Sequence, residues 1–219
     1  MQSRRLRFVG LLLALACTAF MSGCVLGRRD IALDIPSGAA AQATRGQIRI
    51  AEVADARHFQ NDPRSPSTPS IDGDVTKVTP AELQMFIGRQ RNGFGGAKGD
   101  IVLSSDTTVP DRVRKLLASG FVRRGFTPTD DVESPTAVDV KVNEFWAWFS
   151  PGAFSVSFEA RIETLLNITA DGLTKSLTVK GYGANRGQVA SDANWQLAYA
   201  RAFEDYLKNL DAALGSAGL

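Results

Sequence analysis

Alternation of apolar and polar residues is strongest in the second half of the chain. Across residues 154–168, apolar side chains recur at every second position except Thr164, and polar or charged residues occupy most of the positions between them. A period of two over this length predicts a long strand with one buried and one solvated face. We therefore expect Phe158 and Ile162 to face the core, and Glu159 and Arg161 to face solvent.

This segment lies between two others with a strand-like pattern. The stretch AVDVKVNEFWAWF precedes it across a Ser-Pro-Gly turn, and LTKSLTVKGYG follows it across Ala-Asp-Gly. Asp171-Gly172 is a typical pair for a tight hairpin, because both residues tolerate a positive φ. The three segments therefore predict an antiparallel meander.

Two longer segments have the spacing of amphipathic helices. TTVPDRVRKLLASGFVRRGF places apolar and basic residues on opposite faces, and its helix is expected to end near Arg124, before Gly125. The closing segment, residues 191–214, carries a second apolar stripe. A shorter helix is expected after Thr79, because Pro80 suits a first turn. The predicted core positions of the two longer helices are Val113, Leu116, Leu117, Gly120, Phe121, Trp195, Ala198, Ala202, Phe203, Tyr206, Leu207 and Leu210.

The first half of the folded region is less regular. Ile48 and Ile50 predict a strand that ends near Asp55, and DIVLSS predicts another strand. Prolines, serines and glycines between them predict a long loop insertion at residues 60–98. The whole pattern predicts a single α+β domain over residues 47–214. We expect a two-layer sandwich in which a mostly antiparallel sheet of about five strands carries two amphipathic helices on one face.

The strand before the Ser-Pro-Gly turn contains a conflict of phase. Continuing the valine alternation of residues 138–142 turns Glu144 inward with both tryptophans, whereas a bulge near Asn143-Glu144 would turn the tryptophans outward. Either arrangement places large aromatic side chains on both faces. The insertion at 60–98 can cover them as a lid, or they can form part of a partner or self-association surface. This candidate partner surface consists of Phe145, Trp146, Trp148 and Phe149.

The N-terminus has the pattern of a bacterial export signal. Three arginines in residues 4–7 precede an apolar run, residues 8–20. That run is shorter than the roughly 20 residues of a membrane span. Met-Ser-Gly then precedes Cys24, which is typical of a lipobox. We expect residues 1–23 to be a signal peptide, with cleavage between Gly23 and Cys24 and acylation of Cys24. The alternative is an ordinary signal peptide with a chance cysteine.

Loss of the signal changes the charge of the chain. Three of the 25 basic residues leave with it, so the mature chain carries 22 (25 − 3) against 23 acidic residues. This balance argues against nucleic acid as a partner. Residues 24–46 are expected to be a flexible leash that reaches roughly 25 Å from the membrane. Val25 favours sorting to the outer membrane.

Few residues have a pattern that predicts catalysis. GFGGAKGD and GYGANRG resemble phosphate-binding motifs but lack required glycines, and we expect turns there. His58 is the only histidine, so a zinc site or a triad built on histidines lacks partners. Glu144 and Glu159 are a possible carboxylate pair of a glycoside hydrolase, although a solvated position on a strand is the commoner explanation for Glu159. The sequence predicts no metal site, no cofactor and no catalytic residue.

Several of these features occur together in one known family. The lipobox, VADAR, LLASGFVRRGF, the three-strand meander and the closing helix follow one another in this order. In this respect the chain resembles the YajG-like family of largely uncharacterised bacterial lipoproteins, although its insertion at 60–98 is longer than that family leads us to expect. The resemblance implies an outer-membrane lipoprotein with its domain in the periplasm, and it brings no catalytic residue or cofactor.

Two classes of function remain open. We favour a non-enzymatic binding or assembly module that holds an envelope protein, or a second copy of itself, near the membrane. An accessory subunit of a transport or secretion machine is a narrower form of this class, by analogy between folds. The other class is a hydrolase that acts on peptidoglycan or lipid. In both classes, acyl chains on Cys24 attach the chain to the membrane.

Overall fold

The computed structural model describes residues 27–38, 41, 44–91, 97–104, 107–151, 156–187 and 191–219. Within these ranges there are eight strands, three α-helices and one 3₁₀ turn at Val75–Lys77. The strands are β1 (Arg29–Ile31), β2 (Gly46–Asp55), β3 (Phe86–Arg91), β4 (Ala97–Leu103), β5 (Phe126–Thr129), β6 (Thr136–Pro151), β7 (Val156–Ala170) and β8 (Leu173–Gly187). The helices are α1 (Pro80–Leu83), α2 (Val109–Arg124) and α3 (Asp192–Ser216).

All eight strands belong to one mixed sheet. β6, β7 and β8 form the predicted antiparallel meander. β6 then pairs in parallel with β2 along its first half and with β3 near its end. β5 continues the first branch, and β4 and β1 continue the second. The α+β class is confirmed, whereas the mostly antiparallel sheet of about five strands is wrong.

The expected antiparallel sheet is wrong because several strands pair in parallel with partners that are distant in the chain. β3 and the first two residues of β4 lie inside the segment expected to be an insertion loop, residues 60–98, whereas the rest of β4 is the strand predicted from DIVLSS. β5 has only four residues, and β1 has three. Strands this short carry too few alternating positions to be recognised from sequence, and their partners are distant in the chain. Long-range pairing therefore defines half of the sheet.

The two long helices pack on one face of the sheet, as expected. α2 begins with a capping box between Thr108 and Asp111 and ends at Gly125, whose φ of 97° suits the left-handed C-cap. Every predicted core position of both helices is buried. α3 approaches β8 closely because Gly181 and Gly183 lack side chains: a Cβ on Gly183 would lie 2.1 Å from the Ala198 carbonyl oxygen. The motif GYGANRG is therefore part of a strand, and the expected turn is wrong.

A bulge in β6 resolves the conflict of phase. Val142 pairs with Thr164 and Glu144 pairs with Glu163, so Asn143 is an extra residue. Beyond this bulge, Phe145 joins the helix-covered core, and the tryptophans turn to the other face of the sheet.

A second layer covers the tryptophans on that outer face. The segment 57–83, which we call the cover segment, packs over β3, β4 and the end of β6. Buried polar contacts fix it: Arg91 donates to the Pro63 carbonyl at 2.7 Å, and Asp100 accepts from the Asp72 amide at 2.9 Å. The apolar residues of this second cluster are Phe59, Ile71, Val75, Val78, Leu83, Phe86, Val102, Trp146 and Trp148.

The expected leash is largely part of the fold. In the segment 24–46, residues 29–31 form β1. Ile31 and Leu33 are buried at 2% exposure, and the chain then continues along α2. Ser119 donates to the Pro36 carbonyl at 2.5 Å, and Arg112 donates to the Leu33 carbonyl at 3.1 Å. The flexible leash over residues 24–46 is therefore wrong for residues 27–38.

Candidate functional site

The predicted cleavage and lipidation site lies outside the described residues. Gly23 and Cys24 precede Gly27, where the described part of the chain begins. Among the helices of the described ranges, none is both long enough and apolar enough to cross a membrane.

The structure buries the aromatic residues that were candidates for a partner surface. Phe145 stacks on Tyr199 with ring centroids 5.0 Å apart. Trp146 meets the edge of Phe59 at 5.9 Å, and its indole N–H donates to a cover-segment carbonyl at 3.2 Å. Phe145, Trp146 and Trp148 are at most 4% exposed. The expected exposed aromatic surface is therefore wrong for these three residues, because the cover segment and α3 occupy both faces of β6.

Phe149, the fourth residue of the candidate partner surface, also packs against the core. Its ring is half-buried and lies 6.4 Å from Phe158 and 6.3 Å from Trp195, measured between centroids. Phe149 packs against the helix-covered core. The lid interpretation therefore holds for the two tryptophans of the outer face, whereas the helices cover the two phenylalanines.

The outward side of β7 and β8 is a sheet face on which neither the described helices nor the cover segment packs. We call it the open face, and its central residues are Glu159, Arg161, Glu163, Lys180 and Tyr182. α3 packs on the opposite side of these strands, while the cover segment lies over β3, β4 and β6. Arg161, Lys180 and Tyr182 are exposed, and Tyr182 at 47% is among the most exposed large apolar side chains.

Hydrogen bonds organise the centre of the open face around Glu159. Its carboxylate accepts from the Tyr182 hydroxyl at 2.8 Å and from the Ser150 hydroxyl at 3.1 Å. Beside it, the guanidinium of Arg161 lies 4.9 Å from the centroid of the Trp148 ring. This cation–π contact places the arginine over one face of the tryptophan ring.

The surroundings of two residues on the open face raise their pKa values. Partial burial, followed by the hydrogen bond to Glu159, raises the pKa of Tyr182. Lys180 donates to Glu163 at 2.7 Å, and this contact raises the pKa of the lysine. Both groups therefore keep their protons at neutral pH, and the open face presents fixed charges of both signs.

Side chains of α3 block the edge of β8 next to the open face. Asp205 accepts from the Tyr182 amide at 3.0 Å, Asn209 donates to the Lys180 carbonyl at 2.9 Å, and Arg201 donates to the Ala184 carbonyl. These three outward backbone groups already have partners, which disfavours strand addition along this stretch. Two shallow depressions of about 550 and 510 Å³ flank Tyr182, and that ring lines both of them.

The other chemical candidates are not assembled into a site. Glu144 pairs with Glu163, four residues from Glu159 on β7, so the Cα positions of the two candidate residues lie about 13 Å apart along the sheet. Glycosidase carboxylates are about 5–9.5 Å apart. His58 is exposed. In the part of the chain that the structure describes, no three His, Cys, Asp or Glu side chains are grouped as metal ligands would be.

Comparisons with known proteins reveal only distant structural likenesses. No family model and no curated protein matches the chain. A Xanthomonas campestris protein of family DUF330 is 14% identical with a TM-score of 0.41, over 89% of this chain and 99% of that one. A hypothetical protein from Chlamydia trachomatis is 9% identical with a TM-score of 0.36, over 80% and 99%. A candidate lipoprotein from Caulobacter crescentus is 13% identical with a TM-score of 0.27, over 48% and 82%.

Sequence reasoning identified half of the open face. Alternation predicts that Glu159 and Arg161 point outward, and they do. Tyr182 was missed because it stands between two glycines in a motif interpreted as a turn. The signal was available: continuing the alternation of β8 from Thr178 and Lys180 places Tyr182 on the same side as these exposed residues.

Proposed function

We propose that this chain is a YajG-like lipoprotein of the bacterial cell envelope, anchored by acylated Cys24 in the outer membrane with its domain in the periplasm. Its function is non-enzymatic: it binds an envelope protein through the open face of β7 and β8. The observation that carries the binding role is Tyr182, which stands 47% exposed among charged side chains on a sheet face that no other described element covers.

The chemistry of the open face favours protein binding. Tyrosine and arginine are enriched at the centres of interfaces, where a large flat side chain contributes contact area at a low cost in conformational entropy. Glu159 already holds the Tyr182 hydroxyl, and Trp148 holds Arg161. Side chains held in this way lose little freedom when a partner binds.

The same geometry speaks against the hydrolase alternative. A glycosidase needs both carboxylates within reach of one bond, whereas the Cα positions of Glu144 and Glu159 are about 13 Å apart along the sheet. Glu159 is instead engaged by two hydroxyl donors. These contacts suit a carboxylate that positions its neighbours.

Two experiments test the proposal, the first of which concerns the anchor. A palmitate analogue fed to cells should label the wild-type protein and leave Cys24→Ala unlabelled. Label on Cys24→Ala, or a mature protein that still contains residues 1–23, would contradict the lipoprotein assignment.

The second experiment concerns the open face. A photoreactive benzoylphenylalanine in place of Tyr182 should crosslink in cells to one envelope protein. The same probe at Lys208, an exposed position on the outer surface of α3, should give no such product. A crosslink of equal yield at both positions, or at neither, would argue against binding through the open face.

A further inference from the structure

The ordered position of residues 27–38 determines where the anchor meets the domain. Arg29 forms an ion pair with Asp192 at 2.9 Å, and Gln196 donates to the Ala32 carbonyl at 3.0 Å. Together with the burial of Ile31 and Leu33, these contacts join the segment to β4, α2 and α3. Residues 27–38 therefore do not serve as slack between the membrane and the domain.

This segment begins at one end of the sheet. The Gly27 amide donates to the Lys98 carbonyl at 3.0 Å, and β1 runs parallel to β4. A Cβ on Gly99 would lie 1.9 Å from the Gly27 carbonyl oxygen, so the contact requires glycine there. By register, the start of β7 and the end of β8 lie at this same end, where Ser157 pairs with Arg186.

We call this the proximal end, defined by Gly27, Lys98, Ser157 and Arg186. The distal end is the opposite one, where Thr169 pairs with Thr174 beside the Asp171-Gly172 turn.

The number of residues in each segment limits how far Cys24 can lie from either end. Three residue steps join Cys24 to Gly27, which limits their Cα separation to about 11 Å. The 15 residues of β7 extend about 46 Å from one end of the sheet to the other. An acyl group on Cys24 therefore lies close to the proximal end and far from the distal end.

We propose that the proximal end of the sheet faces the lipid surface, so that β7 and β8 run away from the membrane and the Asp171-Gly172 hairpin projects into the periplasm. This orientation rests on the proposed acylation of Cys24. The occupant of the proximal surface is the headgroup layer of the bilayer itself. The side chain of Arg186 is exposed there and that of Lys98 is half-buried, and such cations are attracted to anionic headgroups.

The orientation also places the open face relative to the membrane. Tyr182 is four residues from Arg186 along β8, so it lies about 13 Å from the proximal end. A partner bound at Tyr182 would sit beside the membrane surface, and the distal third of the meander would extend beyond it.

Single cysteines on one strand test this orientation. The chain has only two cysteines, Cys17 in the signal and Cys24, so an introduced thiol is the only free one in the acylated protein. Ser157→Cys and Thr169→Cys lie on the same face of β7, about 40 Å apart. Each variant is labelled with a fluorophore and reconstituted in phosphatidylethanolamine–phosphatidylglycerol vesicles that contain a nitroxide attached to the lipid headgroup.

The expected result is strong quenching at position 157 and little or none at position 169. A flexible Gly-Ser insert of about 20 residues between residues 26 and 27 should reduce the quenching at 157, because it restores the slack that the fold removes. Mass spectrometry of each sample establishes whether Cys24 is acylated.

Three outcomes would overturn the orientation. Equal quenching at both positions in acylated protein means that the domain lies flat or tumbles, and stronger quenching at 169 means that it is inverted. Both results leave the lipoprotein proposal intact. Cys24 without acyl groups would overturn the anchor and the orientation together.

Discussion

Arg57 and Asp55 form a buried, two-pronged ion pair at the point where β2 leaves β6. The Arg57 Nε lies 2.8 Å from one carboxylate oxygen of Asp55, and Nη2 lies 2.7 Å from the other. The arginine side chain is 0% exposed and the aspartate side chain 8%. The pair thus occupies the junction of the two branches of the sheet.

The remaining donors of Arg57 join the two branches. Nη1 donates to the carbonyls of Phe86 and Phe145, at 2.6 and 3.0 Å, and Nη2 also donates to that of Leu83 at 3.0 Å. The Phe86 and Phe145 carbonyls lie where β6 changes partner from β2 to β3, and the Leu83 carbonyl is at the end of α1. The guanidinium replaces the missing backbone donors at this point.

Arg57→Ala should therefore destabilise the fold strongly. It removes the guanidinium from Asp55 and from three carbonyl groups, and breaking one side of a buried pair costs about 3–5 kcal/mol. Urea unfolding should show this loss, whereas Arg45→Ala, at an exposed position, should stay within about 0.5 kcal/mol. A loss as small as the control would mean that water replaces the guanidinium.

The two faces of β7 should respond differently to truncation. Phe158 is fully buried against Trp195, so Phe158→Ala should cost about 3–5 kcal/mol in unfolding free energy. Glu159→Ala removes two hydrogen bonds from partly exposed hydroxyls and should cost about 1 kcal/mol. Equal losses in thermal or urea unfolding would contradict the assignment of the faces.

Trp146 should behave as a core residue. Trp146→Ala should cost about 3–5 kcal/mol, because it leaves a cavity under the cover segment. Limited proteolysis within residues 57–83 should accelerate, since Phe59 and the Pro66 carbonyl lose their contacts with the indole. Light scattering should show an unchanged oligomeric state. A change of oligomer without a loss of stability would restore the interface interpretation.

The buried tyrosines should make the fold sensitive to alkali. Burial raises the pKa of Tyr199 and Tyr206 above the ordinary 10.0. Below that value the phenols are neutral in both states, and their contribution to stability is complete. As the pH rises past it, the unfolded chain loses phenolic protons that the folded chain keeps, so the free energy of unfolding falls.

Urea titrations at about pH 9 and about pH 11 should show this fall. Tyr206→Phe should reduce the difference between the two titrations, although it also removes the hydrogen bond to Thr164 at 2.7 Å. Tyr182→Phe, at a partly exposed position, should reduce it less. The same pH dependence in Tyr206→Phe and wild type would exclude the buried phenol as the cause.

Local sequence patterns determined the elements that are long and amphipathic. The meander, the buried faces of α2 and α3, the α2 C-cap at Gly125 and the outward positions Glu159 and Arg161 all follow from periodicity and capping, because these depend on neighbours within a few residues. The alternation also revealed that a bulge at Asn143 was one of two solutions.

Where local sequence patterns allow two arrangements of a segment equally well, only the tertiary structure decided between them. The tryptophans can face outward because the cover segment, some 80 residues earlier in the chain, packs on them. Residues 27–38 look like a leash in isolation and become ordered because α2 and α3 supply donors and an apolar groove. From the sequence alone, Arg57 resembles a charged loop residue. In the folded protein it binds carbonyl groups at the junction of the two branches of the sheet. In each case the deciding energy comes from contacts between residues far apart in sequence, which no local pattern contains.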